Sequence, residues 1–217
     1  MEYPRDEKWE FERKAREVGF RYIAGVDEAG RGPIAGPIVA VAVILNGKVN
    51  GIDDSKRLTK RKREVLFDIL MNGQHDVGIS IVSPKEIDSL GIQEANYKAM
   101  LEAILKLKSR PDLVLVDGYH LRGAPCEVWR IIKGDRRSAT IGAASIIAKV
   151  TRDRIMEEMD KIYPGYGFAK HNGYATKEHL MALERLGPSP IHRLSFAPLS
   201  NRVANDLFNS KELCREG

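Results

Sequence analysis

The sequence is poor in cysteine and has no long apolar run. Its 217 residues include only two cysteines, Cys126 and Cys214, which lie far apart along the chain. Two distant cysteines form neither a disulfide framework nor a zinc site, so a reducing cytoplasm is the expected compartment. No apolar stretch approaches the roughly 20 residues that span a bilayer, so no membrane partner is expected. The longest run, at residues 38–45, is predicted to be a buried strand.

Acidic residues are outnumbered by basic residues, although by a small margin. Lys and Arg total 35 against 30 Asp and Glu, which gives a formal net charge of +5. This excess suits a polyanionic partner, because lysine and arginine displace counterions from phosphates. A dense basic block occupies residues 56–63, and its plainer interpretation is a solvated face. Charge alone therefore favours a nucleic-acid partner only weakly.

Hydrophobic periodicity predicts strands and helices in alternation. Two apolar strands come first, at residues 21–27 and 36–45, and Asn46-Gly47 is a hairpin signal after the second. Further strands are predicted at 76–82, 113–116 and 128–132. Helices are predicted at 6–18, 59–71, 92–108, 138–162 and 176–187, with short ones from Pro84 and near the C-terminus. Strands that first pair antiparallel and then alternate with helices imply an α/β domain with a mixed sheet.

Acidic residues follow the apolar strands. Asp27 and Glu28 end the first strand, Asp117 follows the run at 113–116, and Asp135 follows the strand at 128–132. Strand ends favour aspartate for turn chemistry alone, but they are also where ligand groups gather in open α/β sheets. Each acid has a glycine nearby in the sequence, and glycine lets a backbone or a ligand approach closely. We therefore treat these four carboxylates as candidate functional groups.

Carboxylates that gather in one place repel one another unless their pKa values rise or a divalent cation neutralises them. Carboxylate oxygens suit Mg²⁺, and no His or Cys cluster offers a zinc alternative. Two such ions would activate a water and stabilise the leaving oxygen of a phosphodiester. Neighbours on a regular strand point to opposite faces, so Asp27 and Glu28 share a site only if the strand bends. The glycine-rich residues 30–33 are a plausible cause of that bend.

Six motifs, in sequence order, resemble those of type 2 ribonuclease H, the ribonuclease HII family. They are GVDEAGRGPIAGP at 25–37, DDSKRLT at 53–59, LVLVDG at 113–118, KGD at 133–135, IGAASIIAKVTRDR at 141–154 and HNGYATKEH at 171–179. The resemblance covers roughly residues 22–199. It implies a ribonuclease H-like five-stranded mixed sheet flanked by helices, with a short helical C-terminal part. The expected catalytic domain with its N-terminal helix is residues 1–187, and the C-terminal part is residues 188–217.

The resemblance also implies the roles of individual residues. The metal ligands would be Asp27, Glu28, Asp117 and Asp135, holding Mg²⁺ or Mn²⁺. Gly30, Arg31 and Gly32 are similar to a segment that recognises the ribonucleotide at an RNA–DNA junction. Tyr174 resembles a tyrosine that stacks on the following deoxyribose, and Lys56 and Lys149 would contact phosphate.

The activity that the resemblance implies is hydrolysis of RNA paired with DNA. The expected substrates are RNA–DNA hybrids and DNA duplexes that contain ribonucleotides. Cleavage 5′ of the ribonucleotide, with 5′-phosphate and 3′-hydroxyl ends, is expected from a monomer. A backbone segment pressed against the sugar agrees with this, because a 2′-hydroxyl must be sensed at close range.

Other interpretations remain open at this point. A related DNA nuclease or recombinase could share the fold, and a non-catalytic duplex-binding protein could use the basic block. Asp153 would either join the acidic site or pair with an arginine on its helix. Trp129 is expected in the core, and His171 and His192 are expected to hydrogen-bond in loops or to acids. Three aromatic residues are expected to pack the loop at 163–175 against the body: Tyr163, Tyr166 and Phe168.

Overall fold

The computed structural model describes residues 7–118 and 120–200, which contain one mixed sheet. Its spatial order is β3-β2-β1-β4-β5, with antiparallel pairing of β1 to β2 and of β2 to β3. β4 lies parallel to β1 and to β5. The five-stranded mixed sheet expected from the sequence is confirmed. The strands are β1 (Ile23–Ala29), β2 (Ile38–Ile44), β3 (Asp76–Val82), β4 (Leu113–Asp117) and β5 (Glu127–Ile131).

Four of the described helices begin at a polar cap residue. Thr59, Ser83, Ser138 and Thr176 each accept a backbone N–H three residues ahead, which satisfies a donor that the helix start leaves unpaired. A 3₁₀ turn at Glu7–Trp9 precedes the first helix. The helices are α1 (Glu10–Glu17), α2 (Lys60–Asn72), α3 (Pro84–Leu90), α4 (Ile92–Leu105), α5 (Gly134–Arg137), α6 (Ala139–Ile162), α7 (Phe168–His171) and α8 (Lys177–Leu186).

The hairpin predicted at Asn46-Gly47 is wrong. β2 pairs with β3, and α2 lies between them in the chain. Asn46 instead ties the two strand ends together, because its backbone N–H donates to His75 Nδ1 and its side-chain amide donates to the Gln74 carbonyl. Every residue of β2 is buried, so the strand needs a pairing partner on each edge.

Two further expectations about local structure need correction. The loop predicted at 163–175 contains the single-turn helix α7, which starts after Gly167 and ends before Asn172, both of which have left-handed conformations. Trp129 is only partly buried, because β5 is the outer strand of the sheet. Its ring packs edge-on against Phe20, with 5.7 Å between the centroids. The short helix expected near the C-terminus falls largely outside the described residues.

Helices cover both faces of the sheet. α6 packs on one face, where Ile141 and Ile146 join Leu113 and Leu115 in a buried cluster. α4 packs on the other face, and its Met100 joins a second cluster there. Gly25 of β1 lets α6 pack closely against the sheet, because any residue with a Cβ at this position would place that atom 2.2 Å from the carbonyl carbon of Thr140. None of the described helices is both long and apolar enough to cross a bilayer.

Residues 188–200 pack against the segment that follows β1. The Gly36 N–H donates to the Ile191 carbonyl, and the Arg193 N–H donates to the Ile34 carbonyl. A single bridge pairs Ala35 with His192. The division of the chain after residue 187 stays a prediction.

Candidate active site

A cleft of about 690 Å³ opens where β1 and β4 part. Pairing between these strands stops at Val26 and Val116, whereas β1 continues beside β2 as far as Ala29. The ends of two parallel strands therefore lie at one edge of the sheet, a usual location for ligand sites. All ten predicted site residues line this cleft: Asp27, Glu28, Gly30, Arg31, Gly32, Lys56, Asp117, Asp135, Lys149 and Tyr174.

Asp27 and Glu28 share the cleft although they are neighbours on one strand. β1 keeps its register with β2 through Ala29, and the chain changes direction only at Gly30, whose φ is +98°. The expected bend therefore comes after the two acids. Both side chains reach the cleft because β4 does not cover this end of β1.

Asp27 is held by a serine that the sequence analysis missed. Burial raises the pKa of Asp27 well above its usual value, and the neighbouring Glu28 adds to the rise. A hydrogen bond from Ser145 acts in the opposite direction. Ser145 Oγ lies 2.9 Å from Ser55 Oγ, so Ser55 can donate to Ser145 while Ser145 donates to the carboxylate. The sequence indicates Ser145 only as a small residue on a closely packed helix.

Glu28 presents an unsatisfied oxygen. Burial raises its pKa to about 7, Arg31 opposes this rise, and the charge of Asp117 adds to it. Arg31 Nη1 lies 3.9 Å from Glu28 Oε1, whereas Glu28 Oε2 is buried without a hydrogen-bond partner. A buried acceptor without a donor costs free energy, and a cation would satisfy it.

Asp117 and Asp135 complete the acidic group in the cleft. Asp117 Oδ1 accepts the N–H of Gly134, 2.9 Å away, which links the end of β4 to the start of α5. Burial raises the pKa of Asp135, and the charges of Asp54 and Asp117 add to the rise. The buried Asp54 accepts the Lys56 N–H and pairs with Arg136 at 2.9 Å. Asp54 therefore supports Lys56 at the cleft, a role that the sequence analysis did not foresee.

The 3₁₀ turn and α1 at the start of the described chain contact the segment that carries Asp135 and the beginning of α6. Lys8 Nζ donates to the Asp135 carbonyl at 2.9 Å. The buried Glu12 accepts the backbone N–H of Thr140 at 3.0 Å and the hydroxyl of Ser138 at 2.6 Å. Its carboxylate thus lies at the N-terminus of α6, where negative charge is favoured.

Two buried arginines donate to carbonyls of the chain at residues 30–37, and of the two it is Arg193 that holds Gly30 and Arg31. Arg193 donates to the carbonyls of Gly30, Arg31 and Gly36, at 2.6–3.1 Å. Arg152 donates to the carbonyls of Ala35, Pro37 and Asn172. Burial lowers the pKa of Arg193 to about 9 and that of Arg152 to about 10. The carbonyl oxygens of Gly30 and Arg31 therefore accept hydrogen bonds from a buried side chain.

Tyr174 faces the same segment from the other wall of the cleft. Its side chain is 50% exposed, and a Cβ on Gly32 would lie 3.5 Å from Tyr174 Cε1. The ring and the glycine are therefore neighbours. The Gly173 carbonyl accepts the N–H groups of Ile34 and Ala35, which ties the two walls together.

Lys149 lines the cleft but is already paired. Its ammonium group forms an ion pair with Asp153, one turn further along α6. Asp153 is not among the residues that line the cleft. The intrahelical pair expected for Asp153 is therefore present, although its partner is a lysine rather than an arginine.

The loop aromatics and histidines pack as expected. Tyr166 and Phe168 are buried and stacked, with ring centroids 5.1 Å apart and an interplanar angle of 7°. His171 hydrogen-bonds the Tyr166 carbonyl within the loop. His192 hydrogen-bonds Ser189 and His179, neither of which is acidic.

The donor set of the cleft suits a hard divalent cation. Only carboxylate and hydroxyl oxygens accompany the basic residues there, and Glu28 Oε2 lacks a donor. In residues 7–118 and 120–200, no three His, Cys, Asp or Glu side chains are already grouped closely enough to hold an ion together. A bound cation would therefore have to draw the side chains closer.

Solved structures that match this fold include ribonucleases H. The crystal structure of ribonuclease H2 from Pyrococcus horikoshii OT3 matches with a TM-score of 0.70 and 30% identity, over 83% of this chain and 96% of that one. Bst-RNase HIII in complex with Mn²⁺ matches with a TM-score of 0.64, over 88% of this chain and 71% of that one. At 17% identity, the second match shows the fold alone. The ribonuclease H-like architecture is therefore confirmed.

Sequence comparison narrows this class to one family. The family model of ribonuclease HII matches residues 24–199. A Bacillus licheniformis protein described as ribonuclease HII is 52% identical over 199 residues, which cover 89% of this chain and 78% of that protein. The chain belongs to the ribonuclease HII family. It is accordingly a ribonuclease H, a hydrolase that cuts nucleic acid internally.

Proposed function

We propose that this protein hydrolyses the RNA strand of RNA–DNA hybrids and cuts 5′ of single ribonucleotides in duplex DNA. The products would carry 5′-phosphate and 3′-hydroxyl ends. One observation carries the proposal: a single cleft joins four carboxylates to the Gly30–Arg31–Gly32 segment and Tyr174. A monomeric state and a cytoplasmic location stay predictions.

Asp27, Glu28, Asp117 and Asp135 would hold two divalent cations, Mg²⁺ or Mn²⁺. When bound, such ions supply an activated water and stabilise the leaving 3′ oxygen of the phosphodiester. The unsatisfied Glu28 Oε2 and the raised pKa values of Asp27 and Glu28 support this assignment. Mn²⁺ bound to a protein of the same fold is consistent with it.

Substrate discrimination would come from the two walls of the cleft. Backbone groups of the Gly30–Arg31–Gly32 segment would sense a 2′-hydroxyl, which is both a donor and an acceptor. Arg31 would contact a phosphate while its neighbours read the sugar. Tyr174, whose ring adjoins Gly32, would stack on the next sugar, where the hydroxyl is absent.

Lys56 and Lys149, which both line the cleft, would contact phosphates of the duplex. Asp54 accepts the backbone N–H of Lys56, so this lysine is anchored at the cleft. Lys149 would exchange its contact with Asp153 for one with a phosphate. Charged contacts of this kind position the duplex and do not read its sequence.

The decisive experiment compares three labelled duplexes with and without Mg²⁺ or Mn²⁺. The first is all DNA, the second holds one ribonucleotide in DNA, and the third is an RNA–DNA hybrid. We expect metal-dependent cutting of the second duplex 5′ of the ribonucleotide, cutting of the hybrid, and no cutting of DNA. Cutting of the hybrid alone would remove the junction role of Tyr174. Cutting of the all-DNA duplex would favour a DNA nuclease with the same fold.

A further inference from the structure

Three buried histidines lie inside the segment that presents Tyr174. The His171 and His179 rings are stacked, with centroids 4.3 Å apart and an interplanar angle of 15°. His192 contacts His179, and Phe168 packs against all three rings. Their exposed fractions are between 0% and 9%, so each ring nitrogen must find its partner within the protein.

The contacts of His179 determine where its proton lies. Its Nδ1 is 2.8 Å from the Tyr174 carbonyl oxygen, which can only accept a hydrogen bond. Nδ1 therefore carries the proton. Burial lowers the pKa of His179, so the ring is neutral at pH 7 and its Nε2 is an acceptor.

His192 supplies the donor that His179 needs. The two Nε2 atoms lie 3.0 Å apart, so His192 must carry its proton on Nε2. Its Nδ1 must then accept, and it meets the N–H of Ser189 at 2.9 Å and the Ser189 hydroxyl at 2.8 Å. Every assignment is consistent with the next. The hydrogen bonds thus run in one direction, from Ser189 through His192 and His179 to Tyr174.

His171 also forms hydrogen bonds with the backbone around Tyr174. Its Nε2 donates to the Tyr166 carbonyl at 2.9 Å, and its Nδ1 accepts the N–H of Gly173 at 3.2 Å. Its carbonyl accepts the N–H of Tyr174 at 2.9 Å. The N–H and the carbonyl of Tyr174 are therefore both engaged by histidine residues, and the carbonyl also accepts the Thr176 N–H at 2.8 Å. The backbone so held carries the ring that lies beside Gly32.

We infer that His179 and His192 are positioning residues for Tyr174, acting through a chain of hydrogen bonds between neutral imidazoles that holds the Tyr174 carbonyl. The inference deepens the proposed function and rests on its assignment of Tyr174 to the ribonucleotide–deoxyribonucleotide junction. Neither histidine lines the cleft, so neither touches the substrate itself.

The kinetic test compares two substitutions of His179. Asn places an amide donor near the position of Nδ1, so His179→Asn retains the bond to the Tyr174 carbonyl, whereas His179→Leu removes it. The readout is kcat/KM on a duplex with one ribonucleotide divided by kcat/KM on a long RNA–DNA hybrid. We expect this ratio to fall about tenfold in His179→Leu, the effect of about one buried hydrogen bond, and to stay within about threefold in His179→Asn.

A double substitution separates positioning from general damage. If His179 acts through Tyr174, His179→Leu lowers the ratio no further in a Tyr174→Ala background. An equal loss on both substrates in His179→Leu, or effects of the two substitutions that multiply, would overturn the inference. An unchanged ratio in Tyr174→Ala alone would overturn the junction role of Tyr174, and with it the consequence assigned to the histidines.

The hydrogen-bond chain is tested without substrate by ¹⁵N NMR of the imidazole nitrogens in the wild-type protein at pH 7. We expect the proton of His179 on Nδ1 and that of His192 on Nε2. His192→Gln keeps a donor toward His179 and assists assignment of the resonances. The opposite tautomer at either ring, or a protonated imidazolium, would exclude the chain whatever the kinetics show.

Discussion

Lys149 and Asp153 form an ion pair one helical turn apart on α6, and only Lys149 lines the cleft. We predict that Asp153→Asn strengthens duplex binding, because the freed ammonium group can neutralise a phosphate. The plot of log affinity against log salt concentration should steepen by up to about one unit. Binding is measured at several salt concentrations without divalent metal.

The matched control for this prediction is Glu158→Gln. Glu158 pairs with Lys161 near the far end of the same helix, and both side chains are well exposed. That substitution should leave the salt dependence unchanged. Equal effects of the two substitutions would mean that only net charge matters and that Lys149 contacts no phosphate.

Asp117→Asn should separate catalysis from binding. The substitution keeps the shape of the side chain and an oxygen that can accept the Gly134 N–H, but it removes the negative charge that would hold a cation. Metal-dependent kcat should therefore fall by about 10²-fold or more. Duplex affinity should change by less than about threefold, because phosphate contacts dominate it. Turnover and binding are measured on the same hybrid.

Glu127→Gln is the control for the charge change. Glu127 is exposed and pairs in register with Leu113, at the opposite end of the sheet from the cleft. The Glu127→Gln variant should retain full nuclease activity. Full activity in Asp117→Asn as well would exclude the metal assignment.

Gly25→Ala should destabilise the fold by about 3 kcal/mol. The new methyl group would lie 2.2 Å from the Thr140 carbonyl carbon. Because this atom belongs to the backbone of α6, the clash is relieved only if the helix moves away from the sheet. At Gly142 on the same helix, an added Cβ would lie 2.7 Å from Ile52 Cγ2 and 3.1 Å from the Asp135 carbonyl oxygen, so the main clash is with a side chain rather than with helix backbone. Gly142→Ala should therefore cost less than Gly25→Ala, about 1–2 kcal/mol. Urea unfolding of both variants distinguishes the two cases, and equal losses would contradict the packing argument.

Acid should destabilise the protein through His192. Burial lowers its folded-state pKa to about 4, below the usual value of 6.5, and the neighbouring His179 contributes. A lowered pKa means that the unfolded state binds the proton more readily. This contribution to stability is therefore complete above about pH 6.5 and is lost as the pH falls toward 4.

Between pH 7 and pH 5, the loss from His192 should be about 1 kcal/mol after allowance for partial solvent access. The measurement is the free energy of unfolding in urea at both pH values. His192→Gln should show a shallower fall than the wild type, whatever its absolute stability. Parallel curves for the two proteins would show that His192 is not held neutral.

Local patterns in the sequence account for much of the fold and for the membership of the site. Strands, helix starts and the strand-end acids depend on residues close together in the chain. Thr59 and Ser138, for example, cap helices through bonds that reach only three residues ahead. Recognition of the motifs supplied the remaining candidates, and all of them line one cleft.

The sequence by itself thus determined the mixed sheet and most of its helices, because hydrophobic periodicity and capping are local, and its motifs supplied ten of the residues that line the cleft. Only the tertiary structure decided that β2 pairs with β3, that Asp27 and Glu28 reach one cleft, and that Arg193 supports the Gly30–Arg31–Gly32 segment. The partners of Arg193 lie up to 163 positions away. Contacts between such distant residues depend on how whole elements pack, and no local pattern specifies them.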